Sequence, residues 1–420
     1  MTVRLGVVDE MFLRTHRGLG IPVVMQGLWR TADTVDAAAV DVLCGILARG
    51  PLGRRVVRPR TPGARPRFVS DGGTFPVEYM HVQSDSVLEW ADAQAALPVD
   101  PERGAGWRLS TAWLEDGGTV LSLVCSHVLA DARGLAAAIA QALEGYPGSG
   151  ATPDSEADTS DVRDAALLAL RVAVGTARAV AGLLFRGARR NELRQFMRAR
   201  GTVSREVLRR APVSAVLDVG AEQWDTVAEE SGGTANSLFL TVVAGLARRE
   251  DESGSLTLSV PMDVRDRENS AGAANSVAMV EVEVRPHDSV ADVRAASRAA
   301  FSGTAMTSPA GFPEEMLQLV PDRVAYALTG NPGERDALCS NIGPLPESLG
   351  SFSGHRATGI ATRAVHPGVV SSRTRLSAYL SRFDDRYTLA LESLDDPDHA
   401  TLRERAVDVL GRHGLTARYW

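Results

Sequence analysis

Val124-Cys125-Ser126-His127-Val128-Leu129-Ala130-Asp131-Ala132-Arg133-Gly134 sets one histidine, and an aspartate four residues on, at the end of an apolar run. Upstream, residues 119–126 alternate and are rich in β-formers, whereas residues 134–143 have the Ala/Leu make-up of a helix. His127 therefore falls in a strand-to-helix connection, where α/β folds gather their chemistry. The Asp116-Gly117-Gly118 turn predicts a hairpin between residues 109–114 and 119–126. A neutral imidazole in such a connection can act as a general base near neutral pH. The spacing alone fits a structural histidine better than a catalytic one, and both roles stay open at this level.

The segment resembles the H-H-x-x-x-D-G motif of the CoA-dependent acyltransferase superfamily, which includes chloramphenicol acetyltransferase, peptide-synthetase condensation domains and the wax ester synthase/diacylglycerol acyltransferase family. His127 matches the second, catalytic histidine and Asp131 the aspartate. Further segments occur in the order of the wax ester synthase branch. Val8-Asp9-Glu10-Met11-Phe12-Leu13 resembles its opening, and Pro51-Leu52-Gly53-Arg54-Arg55 and Pro66-Arg67-Phe68-Val69 its early strands. Pro261-Met262-Asp263-Val264-Arg265 followed by Asn275-Ser276 is similar to its P-V-S-x-R…G-N element, and Ser340-Asn341-Ile342-Gly343-Pro344 to its S-N-V-P-G-P loop. Two positions depart: Ser126 stands where the motif has its first histidine, and Ala132 where it has glycine, adding a methyl group that restricts the turn or crowds a substrate.

The resemblance implies an α/β fold of two chloramphenicol-acetyltransferase-like sandwich subdomains with a tunnel at their interface. It implies acyl transfer from a CoA or carrier-protein thioester to an alcohol or amine, with His127 taking the acceptor's proton. Asp131 is implied to be structural within the site, paired with an arginine for which Arg265 is the candidate. Ser126, Asn275, Ser340, Asn341 and Gly343 are candidates for the tunnel lining, although a turn before the next strand accounts for 340–343 equally, and a strand start for Asn275. No cofactor is expected to be held permanently; acyl-CoA or an acyl-phosphopantetheine thioester is the co-substrate, and an acyl carrier protein is a candidate partner. The competing class is a binding or scaffold protein that keeps the fold without turnover.

A chain of 420 residues suits two domains or subdomains. Its net charge of −7 and lack of interleaved basic and aromatic residues argue against nucleic-acid binding. All 45 basic residues are arginine, which excludes a Schiff-base lysine and a lysine-dependent phosphate loop. Cys44, Cys125 and Cys339 are far apart in apolar surroundings and make neither a zinc pattern nor a disulfide framework. A nucleophilic Cys125 is the minor alternative to a small hydrophobe. No metal site is expected, and His16, His81, His287, His355, His366, His399 and His413 read as surface, loop or structural residues. The expected location is the cytoplasm, with peripheral membrane contact as a second reading.

Along the chain, residues 1–146 form a first unit carrying His127, residues 147–162 a Gly/Ser/Pro-rich linker, residues 163–210 a helical, Arg-rich connector, and residues 211–420 a second α/β unit. Residues 165–185 are apolar enough to suggest a membrane span, but Arg171 and Arg178 lie seven apart on one helical face. The sequence therefore predicts an amphipathic helix with its apolar face packed on the protein, a membrane surface or lipid-like substrate being the minority reading. Nine arginines between 186 and 210 face only Glu192 and Glu206, giving either a solvated face or an electropositive surface for CoA phosphates, a carrier protein or lipid headgroups. Arg189, Arg190 and Arg194 are the contact candidates. In the second unit, residues 255–260, 277–284, 374–381 and 387–393 predict strands, and 236–249 and 400–413 helices.

Overall fold

In a computed structural model of the chain, the stretch around His127 forms the strand, turn and helix that its sequence predicts. The structure describes residues 3–19, 21–145, 160–187, 189–191, 194, 208–250, 252–263, 275, 277–302, 311–329 and 335–420. Strand β5 (Trp107–Leu114) and strand β6 (Thr119–Ser126) form the expected hairpin. Gly117 has φ +89°, a left-handed conformation that favours glycine in its turn.

Around this hairpin a six-stranded sheet runs in the order β12 (Ser351–Phe352), β13 (His355–Val365), β1 (Val24–Thr31), β6, β5, β4 (Glu78–Val82). β1 pairs antiparallel with both neighbours, Val24 standing opposite Ser126 on one side and Val365 on the other. Every residue of β6 is buried, as a central strand covered on both faces must be. Helices α1 (Val7–His16), α2 (Ala37–Arg49), α3 (Val87–Ala96) and α4 (Ala132–Leu143) belong to this half. The segments 51–55 and 66–69 contribute a small hairpin of β2 (Arg54–Val57) and β3 (Arg67–Ser70).

A second sheet runs in the order β10 (Val277–Val284), β9 (Leu256–Asp263), β11 (Ala337–Pro344), β15 (Leu376–Phe383), β16 (Arg386–Ser393), β8 (Val213–Gly220), β17 (Ala417–Tyr419). The four predicted strands all appear in it, and the Asp384-Asp385 turn joins β15 to β16. Helices α6 (Ala221–Glu230), α7 (Ala235–Ala247), α8 (Val290–Ser302) and α11 (His399–Arg412) belong to this half, and the short α9 (Met316–Leu319) and α10 (Asp322–Thr329) lie between α8 and β11 in sequence. β7 (Leu208–Arg210) and β14 (Val370–Ser372) form a separate two-stranded ribbon.

Because β12 and β13 cross back to the first sheet, the stretch 211–420 supplies strands to both. β13 satisfies the edge of β1, which would otherwise present unpaired backbone groups. It also carries Arg363, fully buried, whose Nε donates to Gln26 Oε1 at 2.9 Å and whose Nη2 donates to Asp92 on α3. Asp92 in turn accepts from Ser214 Oγ of β8 at 2.9 Å, so one buried cluster ties the two halves together.

Helix α5 (Asp161–Phe185) departs most from its expected packing. Only Asp164, Leu168 and Ala179 are buried, while Leu167, Leu170, Val174, Val180, Leu184 and Phe185 stand in solvent. The expectation that its apolar face packs on the protein is thus corrected: a narrow stripe holds the helix. Asp161 pairs with Arg4 and Arg67, Asp164 with Arg65, and Gly175 lies so close to Pro313 that a Cβ there would meet the ring at 2.9 Å. Residues 147–159 of the expected linker lie outside the described residues.

Candidate active site

Ser126 closes β6, and its Oγ lies 2.6 Å from His16 Nε2 at the end of α1 while accepting the Val128 N–H at 3.2 Å. Burial pushes the His16 imidazole below its ordinary value, which favours the neutral ring in this contact. A histidine from another element thus partners the serine that stands at the motif's first-histidine position.

His127 follows in the turn. Its ring is stacked on Phe12 of α1, centroids 3.7 Å apart and planes 11° from parallel. Its backbone carbonyl accepts from Asn275 Nδ2 at 2.8 Å, and the other proton of that amide goes to Asp9 Oδ1, also at 2.8 Å. Arg54 Nη2 donates to the Leu129 carbonyl at 2.7 Å, its guanidinium lying 4.0 Å above the Phe68 ring. The connection is thus clamped at two carbonyls by side chains from distant segments.

Electrostatics favour a neutral imidazole. Burial pushes the His127 pKa down; its own carbonyl, the Asp131 charge and Asn275 push the other way, and His366 adds to the lowering. The Nδ1 of His127 is buried with no hydrogen-bond partner among the described residues. Burial likewise raises the Asp9 carboxyl, opposed by Asn275, the Gly6 N–H and Arg54, and pulls Arg54 down to about 10. The Cys125 thiol, fully buried, is pushed up to about 12, which removes it as a nucleophile at neutral pH.

Asp131 is buried and caps α4, its Oδ1 accepting the Gly134 N–H at 2.8 Å. Arg265, its expected partner, lies outside the described residues. Ala132 is the first residue of α4 and packs its methyl against the first core, so no glycine-only conformation is needed there. Arg133 Nε donates to the Ile342 carbonyl at 3.0 Å, which brings the 340–343 segment of the second half to the start of α4. That segment is not a turn before a strand: it lies within β11, whose register shifts between Asn341 and Gly343. Asn341 Oδ1 accepts the Gly343 N–H at 3.0 Å, and Asn341 Nδ2 reaches Asn236 Oδ1 on α7 at 2.9 Å. Ser340 and Gly343 are partly exposed.

Ser126, His127, Asp131, Asn275 and the 342–343 bulge are therefore brought together. Arg189, Arg190 and Arg194 follow the end of α5 instead, where Arg190 Nη1 donates to the Leu183 and Leu184 carbonyls at 2.9 Å. Sequence reasoning missed Asp9, Phe12 and His16 as parts of the site. Their spacing of three and four places them on one face of α1, a signal present in the sequence. An apolar cavity lies between α2, α4 and the first sheet, lined by Leu28, Leu43, Leu47, Leu123, Ile139 and Ile360; no residue of 126–131 lines it. Among the described residues, no three His, Cys, Asp or Glu side chains gather as a metal site.

No protein-family model matches the sequence, and no curated protein matches it. Solved structures do. The first condensation domain of the calcium-dependent antibiotic synthetase, in complex with a substrate analogue, matches with a TM-score of 0.64 at 17% identity, over 98% of this chain and 96% of that one. Polyketide synthase associated protein 5 from Mycobacterium tuberculosis matches with a TM-score of 0.57 at 14% identity, over 97% and 96%. The wax ester synthase/diacylglycerol acyltransferase from Marinobacter aquaeolei VT8 matches with a TM-score of 0.55 at 14% identity, over 98% and 100%. The chain has, over nearly its whole length, the α/β fold that condensation domains share with wax ester synthases.

Proposed function

We propose that the protein is an acyltransferase that moves an acyl group from a CoA or carrier-protein thioester to an alcohol or amine, in lipid or secondary-metabolite biosynthesis. The observation that carries this reading is a neutral His127 held at the end of β6 in a connection whose carbonyls are clamped by Asn275 and Arg54. A base that must act within one ternary complex has to be fixed before the reactants arrive.

The unprotonated ring nitrogen of the neutral imidazole is the basic atom. It takes the proton of the acceptor O–H or N–H as that atom adds to the thioester carbonyl, and returns it to the sulfur as the C–S bond breaks. The products are an ester or amide and a free thiol, and no covalent enzyme intermediate is required. Asp131 shapes the connection as the α4 cap, with Arg265 as its proposed charge partner. Ser126, Asn275, Ser340, Asn341 and Gly343 are proposed to line the substrate path, and Arg189, Arg190 and Arg194 to meet an anionic donor or surface. The likeness to condensation domains supports a carrier-bound thioester as donor and a carrier protein as partner.

Intact-mass screening of acyl-CoAs and acyl-carrier thioesters against alcohol and amine acceptors tests the reading. The expected result is a product heavier than the acceptor by one acyl group, with stoichiometric release of thiol. Thioester hydrolysis alone, or no turnover with any pair, would overturn it.

A further inference from the structure

We infer that the outer face of α5 is a docking surface for an anionic lipid bilayer, with the helix lying parallel to the membrane plane. Fifteen residues of α5 are exposed. Twelve are apolar, among them Leu167, Leu170, Val174 and Phe185, and the other three are Arg163, Arg171 and Arg178. At 100° per residue the large apolar members occupy about 140° of the helix circumference. Leu170 is 61% exposed and Phe185 85% exposed, which leaves a continuous apolar strip unlike the scattered apolar residues of an ordinary surface.

Charge decides what covers the strip. The two acidic residues of α5, Asp161 and Asp164, are turned to the protein side and paired with Arg4, Arg65 and Arg67. The exposed residues of α5 therefore include three arginines and no acid, with Glu315 beside Arg171 at 3.6 Å, and Arg186, Arg189, Arg190 and Arg194 extend the positive charge beyond its end. In a chain of net charge −7 this is a local reversal of sign. A second copy seated on the same face would set arginine against arginine, with α5 itself supplying no exposed carboxylate. An anionic bilayer offers both a matching charge and an apolar layer for the strip to enter.

The helix is about 37 Å long, enough to cross a bilayer by length alone. Its protein-side contacts fix it flat instead, since they run from Asp161 and Asp164 to the Arg171–Glu315 pair and the Gly175 contact with Pro313. The same contacts connect it to the site. Pro313 and Glu315 lead into α9, whose Leu317 carbonyl accepts from Arg14 on α1, and α1 carries the Phe12 ring stacked on His127.

Vesicle co-flotation of the full chain tests the inference, using phosphatidylcholine vesicles with and without phosphatidylglycerol. The bound fraction on the doped vesicles should exceed that on neutral ones by roughly tenfold or more at low salt, and should fall as salt rises. Leu167→Glu/Leu170→Glu should abolish binding while leaving the circular dichroism spectrum unchanged, because both side chains stand in solvent. Arg171→Gln/Arg178→Gln should weaken binding several-fold and flatten its salt dependence. Because the three native cysteines are buried, an environment-sensitive dye on Leu170→Cys should report entry into an apolar phase. Absence of binding to either vesicle, or wild-type binding by the leucine variant, would overturn the proposal. So would a concentration-dependent dimer in sedimentation that Leu167→Glu/Leu170→Glu dissolves, since the face would then be a self-interface.

Discussion

Burial pushes the His127 imidazole below its ordinary value of 6.5, and the consequence for a base has a definite sign. A base is active in its neutral form, so the acid limb of the transfer rate should lie below pH 6.5, with a flat profile from pH 7 down through that value. A limb above 7 would show a protonated imidazole and contradict the account. The same shift links to stability: the contribution is fully present above 6.5 and is lost as pH falls toward the folded value, because the unfolded ring gains a proton first. Beside it, Ser126 Oγ and His16 Nε2 are in contact at 2.6 Å. Ser126→His should therefore overpack the site and cost roughly 1–3 kcal/mol. Pairing it with His16→Ala should recover part of that loss, a non-additivity that thermal melts of the two single variants and the double variant would read. Strictly additive melts would deny the contact. His127 and Asp131 were legible from their place between strand and helix. His16 was not: the sequence shows it as one scattered histidine, and its partner lies 110 residues away.

Elements position the site through a few polar clamps. The amide of Asn275 satisfies both a buried carboxyl on α1 and the carbonyl of His127, so Asn275→Ala leaves two buried acceptors without that donor. The expected loss is about 1–3 kcal/mol, with a fall in activity larger than any rise in KM because the base, not the substrate, is displaced. Asn275→Ala that melts and turns over as wild type would remove Asn275 from the machinery. Asp131→Ala should cost roughly 0.5–2 kcal/mol through the α4 cap, measured by denaturant unfolding. At this scale the hairpin, the helix after His127 and the strand at Val277–Val284 were legible because periodicity and turn residues are local signals. The pairing of β13 with β1 was not, since nothing in residues 355–365 names a partner more than 300 residues earlier. Nor was the exposure of α5. A period of 3.6 shows that a helix has an apolar face but not which neighbour covers it.

At the scale of the molecule, two sheets are joined by the buried Arg363 cluster and by β13, and the connection carrying His127 meets the second half through Arg133 and Asn275. An account in which both halves hold one base makes the chemistry depend on a single side chain in an otherwise intact frame. The most direct measurement is single-turnover transfer from an acyl thioester to its acceptor, found by the intact-mass screen, in wild type and His127→Ala side by side. Folded His127→Ala should be slower by roughly 10²- to 10⁴-fold, the usual worth of a general base. A folded His127→Ala variant that transfers at the wild-type rate would contradict the account.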